Sequence, residues 1–199
     1  MPPKAKFTRE QMIEAGLKIV RENGMEALSA RSLGAELGSS ARPIFTVFQS
    51  MEEVQEEVKK SAKSVYAGYV RAGLGEELAF KGVGTQYIRF AVQEPKLFRL
   101  LFMSEQTKPL AAVNVMPVID DNYEDILLSV RNGYDLSEKE AEQLYRHLWI
   151  YTHGIAVLCA TNMCVFTAEE INRMVTEAFR GILTEIKQGQ EAGMGGKNE

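Results

Sequence analysis

Residues 28–50 of the chain read LSARSLGAELGSSARPIFTVFQS. Ser29 is the N-cap candidate of a short helix, because a serine side chain accepts a hydrogen bond from the first N–H groups of a helix. Gly38 is the predicted end of that helix, after only about two turns. The serines at 39–40 offer a cap for a second short helix that extends to about Val47. The segment therefore predicts two short helices joined by a turn that contains glycine.

Pro43 is the residue of this segment that most disfavours a helix. It falls within the first turn of the second short helix, where the missing N–H costs little. Two short helices joined by such a turn and preceded by a longer helix are the outline of a helix-turn-helix, whose second short helix lies in the DNA major groove. Many helical proteins contain short helix pairs, so the pattern alone leaves a purely structural role open.

Longer helices are predicted on both sides of this segment. A capping box at residues 8–11 begins a first helix that ends at 23–24. Another capping box at 50–53 begins a longer helix.

The rest of the chain shows helical spacing and no strand alternation, so the predicted fold class is all-α. Further helices are expected at 83–92, 96–103, 120–130, 137–161 and 167–188, with a loop at 107–117. The predicted domains are 1–50 and 51–188, with a helix from about residue 51 as connector, followed by a disordered tail at 189–199.

The net charge of the whole chain does not describe its amino-terminal part. The chain has 23 Lys+Arg and 27 Asp+Glu, a net charge of −4, and its sequence pI of about 5.4 argues against nucleic-acid binding if taken as one figure. Residues 1–50 nevertheless hold seven basic and five acidic residues, a net charge of +2, and the acidity belongs to the remainder. This modest excess predicts a DNA reader that binds DNA weakly and depends on its dimer.

Composition excludes two broad classes of protein. Hydrophobic residues make up 45% and charged residues 25% of the chain, which excludes global disorder. No apolar run reaches the roughly 18 residues that span a bilayer, and no signal peptide precedes the first helix. We therefore expect a cytoplasmic protein with no membrane partner.

The residues that commonly carry metal or redox chemistry are few. Cys159 and Cys164 are the two cysteines, and His147 and His153 the two histidines. A single disulfide cannot hold a chain of this size together, so a disulfide framework is excluded. The spacing of the two histidines does not put them on one helical face, which disfavours a metal site. No nucleophile–base arrangement or glycine-rich phosphate loop is present. We expect no metal, no cofactor and no enzymatic activity, and two cysteines that act as small apolar side chains.

Five runs of the amino-terminal part carry a family resemblance over residues 8–60. They are IEAGL (13–17), NGMEALS (23–29), RSLGAELG (31–38), IFTVF (44–48) and MEEV (51–54). In this succession the chain resembles the TetR/AcrR family of one-component bacterial regulators. Farther along, Trp149, His153 and Gly154 look like the Trp/His/Gly signature of one effector-domain subgroup, which YIRF (87–90) and EPKLF (94–98) also fit.

The resemblance implies a fold and a function. The fold is all-α and TetR-like, with an N-terminal helix-turn-helix DNA-binding domain and a C-terminal helical effector-binding and dimerisation domain. The function is a ligand-responsive transcriptional regulator that binds a near-palindromic double-stranded DNA operator. It would act as a homodimer through the last two helices, and repression is the family's usual mode.

Two departures from the family weaken the expected hold on DNA. Most members have a tyrosine where this chain has Phe45 and a lysine where it has Met51, and both usually face the DNA backbone. Arg42 is the long side chain suited to read a base, with guanine as its natural partner. The alternative for Arg42 is a solvated charge on a short surface helix. The DNA-contact candidates are Lys4, Lys6, Ser29, Arg31, Ser40, Ala41, Arg42, Phe45 and Thr46.

The second domain has more aromatic and thioether surface than a minimal helix bundle needs. Several of these side chains are expected to line a cavity for a small apolar or aromatic effector, with a polar group such as His153 orienting it. Each of them could also be plain core. The ligand-contact candidates are Tyr87, Phe90, Phe98, Phe102, Met103, Met116, Trp149 and His153. The alternative function is a helical small-molecule-binding protein that has lost specific DNA binding.

Overall fold

A computed structural model describes residues 6–105 and 108–195. Within these ranges the structure is made of helices and connecting segments, with no β-strand, which confirms the all-α class. The α-helices are α1 (Arg9–Asn23), α2 (Ala30–Glu36), α3 (Met51–Leu74), α4 (Ala79–Gln93), α5 (Pro95–Phe102), α6 (Val115–Ile119), α7 (Tyr123–Tyr134), α8 (Glu138–Ala160) and α9 (Ala168–Gly195). Short 3₁₀ turns lie at Met25–Ala27, Ile44–Thr46 and Ala112–Asn114.

Helices α1, α8 and α9 begin with the predicted capping boxes. In α1, Thr8 Oγ1 accepts from the Gln11 N–H at 3.2 Å, and the Thr8 N–H donates to Gln11 Oε1 at 2.9 Å. In α8 and α9, Glu140 and Glu170 occupy the position that Gln11 has in α1, and each accepts a hydrogen bond from the N–H of the N-cap residue. Ser29 caps α2 as expected, with its side chain accepting from the third helical N–H. These four caps are local features, and the sequence predicts them for that reason.

The predicted helix from residues 39–40 to Val47 is wrong in extent. Regular structure there is confined to the 3₁₀ turn at Ile44–Thr46, which Pro43 precedes. The reason is the effect of a proline on its predecessor: the ring disfavours helical backbone at Arg42, so no helix can run smoothly into Pro43. Candidates Ser40, Ala41 and Arg42 therefore lie before the helical turn and not on it.

The region before α8 also differs from the prediction. The expected loop at 107–117 contains a 3₁₀ turn and the start of α6. The next helix begins at Tyr123 instead of residue 120, because Asp120 Oδ1 accepts from the Asn122 N–H at 2.9 Å and forms a turn ahead of the helix. That helix ends beyond Gly133, since Asp135 takes the left-handed position with φ +53°.

The last helix is longer than expected. Helix α9 continues to Gly195, so the segment predicted to be disordered, 189–199, begins inside a helix. Gly189 is followed by the good helix formers Gln190, Glu191 and Ala192, and one glycine costs a helix only about 1 kcal/mol. Residues 196–199 lie outside the described residues.

The chain divides into two compact units, residues 1–68 with 93–106 and residues 69–92 with 107–199. The first unit includes the part of α3 up to Gly68, in which Val54, Val58 and Ala62 are fully buried. Val58 packs so closely on α1 that a Cβ at Gly16 would lie 2.7 Å from its Cγ2.

Candidate functional site

Helix α2 and the segment that follows it pack tightly in the first unit. A Cβ on Gly34 would lie 2.9 Å from the Ser40 carbonyl carbon and 3.0 Å from the Ala41 nitrogen. The Ser39 N–H donates to the Gly34 carbonyl at 2.8 Å. Backbone approaches backbone here, so a glycine is required. Gly34 is not among the site residues predicted from the sequence, although a glycine inside so short a helix is a signal that indicates it.

This packing leaves most of the DNA-contact candidates facing solvent. Lys6, Ser29, Arg31, Ser40, Arg42, Phe45 and Thr46 are exposed, and Ala41 is half-buried. Lys4 lies outside the described residues. Phe45 is 50% exposed, whereas Phe48 is buried as predicted. The Thr46 hydroxyl donates to the Pro43 carbonyl at 2.6 Å, which leaves its oxygen available as an acceptor.

The three basic side chains of α1 are held by carboxylates. Arg9 bonds Glu53 at 2.9 Å and lies 4.4 Å from the centre of the Phe48 ring. Lys18 bonds Glu36 at 2.6 Å, and that hydrogen bond raises the pKa of Lys18. Arg21 bonds a glutamate at 2.8 Å. These cations stabilise the fold and are less available to phosphates.

Arg31 and Arg42 differ from those three. Both are exposed, and within the described residues neither takes part in an ion pair. Arg31 lies on α2, and Arg42 follows Ala41 in the segment that packs against Gly34 of that helix. The exposed positive charge of this segment therefore comes from two arginines.

A polar cluster lies inside the second unit, between α4 and α8. The Tyr87 Oη lies 2.9 Å from His153 Nδ1. The Trp149 ring stacks on the His153 ring with centroids 4.9 Å apart and planes 21° apart. Tyr87 is buried, whereas Trp149 and His153 are half-buried. Helical spacing explains the pair on α8, because residues four apart share a face.

The protonation of this cluster follows from its burial. Burial raises the pKa of Tyr87 well above its ordinary value, and the charge of Asp120 raises it further, so the hydroxyl keeps its proton. A hydrogen bond from the Trp149 side chain acts the opposite way. Burial lowers the pKa of His153, which favours the neutral ring. The Tyr87 hydroxyl then donates to Nδ1, and His153 carries its own proton on Nε2.

Two other groups border the cluster. Asp120 is buried, and its Oδ1 accepts from both the backbone and the side-chain N–H of Asn122 at 2.9 Å. Burial raises the pKa of Tyr145 well above its ordinary value, with a further contribution from Asp120. The cluster therefore combines aromatic surface with hydroxyl, imidazole and carboxylate groups, the mixture with which proteins orient small ligands.

A comparison with protein families identifies the domain that holds this cluster. The family model described as "Tetracyclin repressor-like, C-terminal domain" matches residues 80–185, a little more than half of the chain. The protein belongs to this tetracyclin-repressor-like family. It is accordingly a ligand-responsive transcription regulator, of a family whose members are generally non-enzymatic DNA-binding proteins. No curated protein matches the chain.

The ligand-contact candidates of this tetracyclin-repressor-like protein divide between the two units. Tyr87, Phe90, Met116, Trp149 and His153 belong to the second unit. Phe90 is fully buried, with its ring edge-on to Tyr69 at 5.2 Å. Phe98, Phe102 and Met103 belong to the first unit, where α5 packs on α1. The Phe102 ring lies edge to face with the Tyr66 ring, with centroids 4.9 Å apart. It is tilted against the Phe98 ring, with centroids 5.4 Å apart.

The remaining sequence predictions for this regulator concern its cysteines, metal binding and membrane-spanning helices. Cys159 is half-buried against an apolar cluster that contains Ile88, Ile155 and Val175. Cys164 is also half-buried. Over the ranges that the structure describes, no three His, Cys, Asp or Glu side chains are grouped to hold a metal ion. In the same ranges, no helix combines the length and apolar character needed to cross a bilayer.

Proposed function

We propose that the protein is a homodimeric cytoplasmic repressor that binds a near-palindromic operator and releases it when a small apolar or aromatic effector binds. The observation that carries this proposal is the backbone packing at Gly34, which presents Arg31 and Arg42 to solvent in the segment that resembles a helix-turn-helix. A segment that is fixed by backbone packing and carries exposed arginines suits a rigid DNA contact.

The proposed DNA contacts divide by role. Arg42 reads a guanine through two parallel hydrogen bonds, and Arg31 and Lys6 contact phosphates. Lys4 would add a contact from outside the described residues. Ser29, Ser40, Ala41, Phe45 and Thr46 complete the surface.

The proposed effector site is the polar cluster of the second unit. Trp149 and Tyr87 provide aromatic surface, and His153 is the polar group that orients the effector. Phe90 and Met116 complete the group. We assign the chain to the Trp/His/Gly subgroup, and the Tyr87–His153 bond supports this because it gives the signature histidine a fixed tautomer.

The proposed mechanism is a change in spacing between the two DNA-contact segments. A dimer reads both half-sites only if these segments lie about one DNA turn apart, roughly 34 Å. An effector that binds better to a different spacing lowers operator affinity by its differential affinity for the two states. Helix α3 begins beside the DNA-contact segment and continues into the second unit, so it is the natural connector.

The second candidate is a helical small-molecule-binding protein without specific DNA binding. The exposed Phe45 and the ion pairs of Arg9, Lys18 and Arg21 favour it, because they reduce the groups available to phosphates.

A mobility-shift assay with the DNA that flanks the protein's own gene distinguishes the two candidates. We expect a complex that resists competition by excess unrelated DNA. A complex that unrelated DNA removes at an equal concentration would overturn the regulator proposal and favour the second candidate. The assay uses the full chain, at protein concentrations where sedimentation shows a dimer.

A further inference from the structure

The aromatic part of the proposed effector site extends along α4 and α8 beyond Tyr87, Trp149 and His153. On α8, Tyr145 precedes Trp149 by four residues, as Trp149 precedes His153, so the three rings share one helical face. On α4, the Phe80 ring lies edge-on to the Tyr145 ring, with centroids 5.6 Å apart and planes 87° apart. Rings from two helices therefore line the site.

A buried carboxylate lies beside this row of rings. Asp120 is 4% exposed. Its carbonyl oxygen accepts from the Tyr123 N–H at 3.1 Å, and the Tyr123 ring stacks on the Tyr145 ring with centroids 5.7 Å apart and planes 16° apart. Burial raises the pKa of Tyr87 and of Tyr145, and the charge of Asp120 raises both further. The negative charge therefore acts on rings of both helices.

The local structure around Asp120 does not require its charge. Asp120 Oδ1 accepts from the backbone N–H and the side-chain N–H of Asn122, both at 2.9 Å. The oxygen of a neutral asparagine forms a turn of this kind as an aspartate does. Burial of an ionised carboxylate is costly, whereas burial of a hydrogen-bonded amide costs far less. The turn alone would favour asparagine, and the charge of the carboxylate suits a ligand of opposite charge.

The surface of this part of the second unit is also acidic. Residues 115–145 contain eight Asp and Glu residues and two Arg and Lys residues, a net charge of −6. Burial raises the pKa of the half-buried Tyr123, the charges of Glu142 and Glu124 raise it further, and the charge of Arg146 lowers it. A surface of one sign attracts ions of the other sign and raises the rate at which they enter a site.

We propose that the effector is an organic cation, an ammonium group joined to an aromatic or apolar body, and that Asp120 is its counter-ion. This inference rests on the proposed effector site and names the chemical class of its ligand. A cation is attracted to the faces of tryptophan and tyrosine rings, and proteins hold quaternary ammonium groups among such rings. The buried carboxylate adds an opposite charge that water screens little, and it would repel an anionic effector.

The first test compares two probes of the same shape that differ in charge. The cation is (meta-hydroxyphenyl)trimethylammonium, and its neutral isostere is meta-tert-butylphenol, in which carbon replaces the charged nitrogen. Trp149 is the single tryptophan of the chain, so quenching of its fluorescence measures binding at the site. We expect the full-length protein to bind the ammonium at least about tenfold more tightly than the phenol.

The second test removes the charge and keeps the turn. Asp120→Asn retains the oxygen that accepts from Asn122. It should weaken binding of the ammonium about tenfold or more and change binding of meta-tert-butylphenol less than about twofold. Asp121→Asn is the matched control, because it removes the same charge from the exposed neighbouring position, and both affinities should stay at the wild-type values. Circular dichroism checks the fold of each variant, and the comparison of probes on the wild type decides the matter if Asp120→Asn does not fold.

The outcomes separate the chemical class of the effector from the function on which it rests. Equal affinity of the wild-type protein for the two probes, or equal affinity of the wild type and Asp120→Asn for the ammonium, would overturn the cationic effector and leave the regulator. Binding of neither probe at millimolar concentration would overturn the cationic effector and the assigned site together. Charge-dependent binding by a protein that forms no competition-resistant DNA complex would support the cation and overturn the regulator proposal.

Discussion

At the scale of the residue, Arg42 is the side chain on which sequence preference depends in the proposed function. It is exposed and outside the ion pairs that hold Arg9, Lys18 and Arg21. Arg42→Ala should reduce the ratio of specific to non-specific DNA affinity by about 5- to 150-fold, the range for one bidentate arginine–guanine pair. Competition mobility-shift assays measure this ratio.

The control for Arg42 is Arg89→Ala, which removes an exposed arginine of α4 and should leave the ratio unchanged. If Arg42→Ala retains the wild-type ratio, the reading residue lies elsewhere. If both variants lower this ratio equally, the loss reflects the removal of any positive charge and not of a base contact by Arg42.

His153 makes a second prediction at this scale, because burial lowers its pKa in the folded protein. The unfolded chain binds the proton more readily, so this contribution to stability is complete above the unfolded pKa of about 6.5 and is lost as pH falls toward the folded pKa. His153→Gln should therefore flatten the decline of the urea-unfolding midpoint between about pH 7 and pH 5.

The chain provides a matched control for that measurement. His147 is the other histidine and is exposed, so His147→Gln is the variant that controls for the loss of a histidine as such. Equal slopes for wild type and His153→Gln would show that His153 does not control acid stability, and the cluster with Tyr87 would then tolerate the imidazolium.

At the scale of the element, α2 and its neighbouring segment depend on Gly34. Gly34→Ala places a methyl group 2.9 Å from backbone carbon, which cannot move aside as the end of a flexible side chain does. We expect the free energy of unfolding to fall by about 1–3 kcal/mol despite the better helix propensity of alanine, and operator affinity to fall with it. Gly133→Ala should instead stabilise by about 0.5–1 kcal/mol. Chemical denaturation of both variants checks the sign, and stabilisation by Gly34→Ala would contradict the packing.

Element starts and element lengths were not equally predictable from the sequence. Thr8, Ser29 and Thr167 cap their helices as expected, since a cap involves residues that are neighbours in the chain. The sequence predicts too long a helix around Pro43, because the proline ring also disfavours helical backbone at Arg42, the residue before it.

At the scale of the whole molecule, the balance of charge predicts how DNA binding responds to salt. If Lys6 and Arg31 contact phosphates in both protomers, log K against log salt concentration should have a slope of roughly −4. Fluorescence anisotropy between about 50 and 200 mM salt measures this slope. A slope near zero would contradict the phosphate contacts, and a much steeper slope would show that cations such as Arg9 leave their carboxylates to bind DNA.

The sequence by itself determined the helical class, the family resemblance of the first part, the caps and the concentration of positive charge in residues 1–50. All of these depend on local spacing or composition, which a chain carries whether folded or not. It also named Trp149 and His153 together, as members of the Trp/His/Gly signature.

The tertiary structure decided which distant residues meet. It joined Tyr87 to His153 across two helices, placed Phe98 and Phe102 in the first unit, and paired Arg21 with Glu94. Composition could count aromatic and charged side chains but could not assign their partners. The physical reason is that long-range contacts depend on how helices cross, and that is fixed by packing of the whole core, not by any one segment.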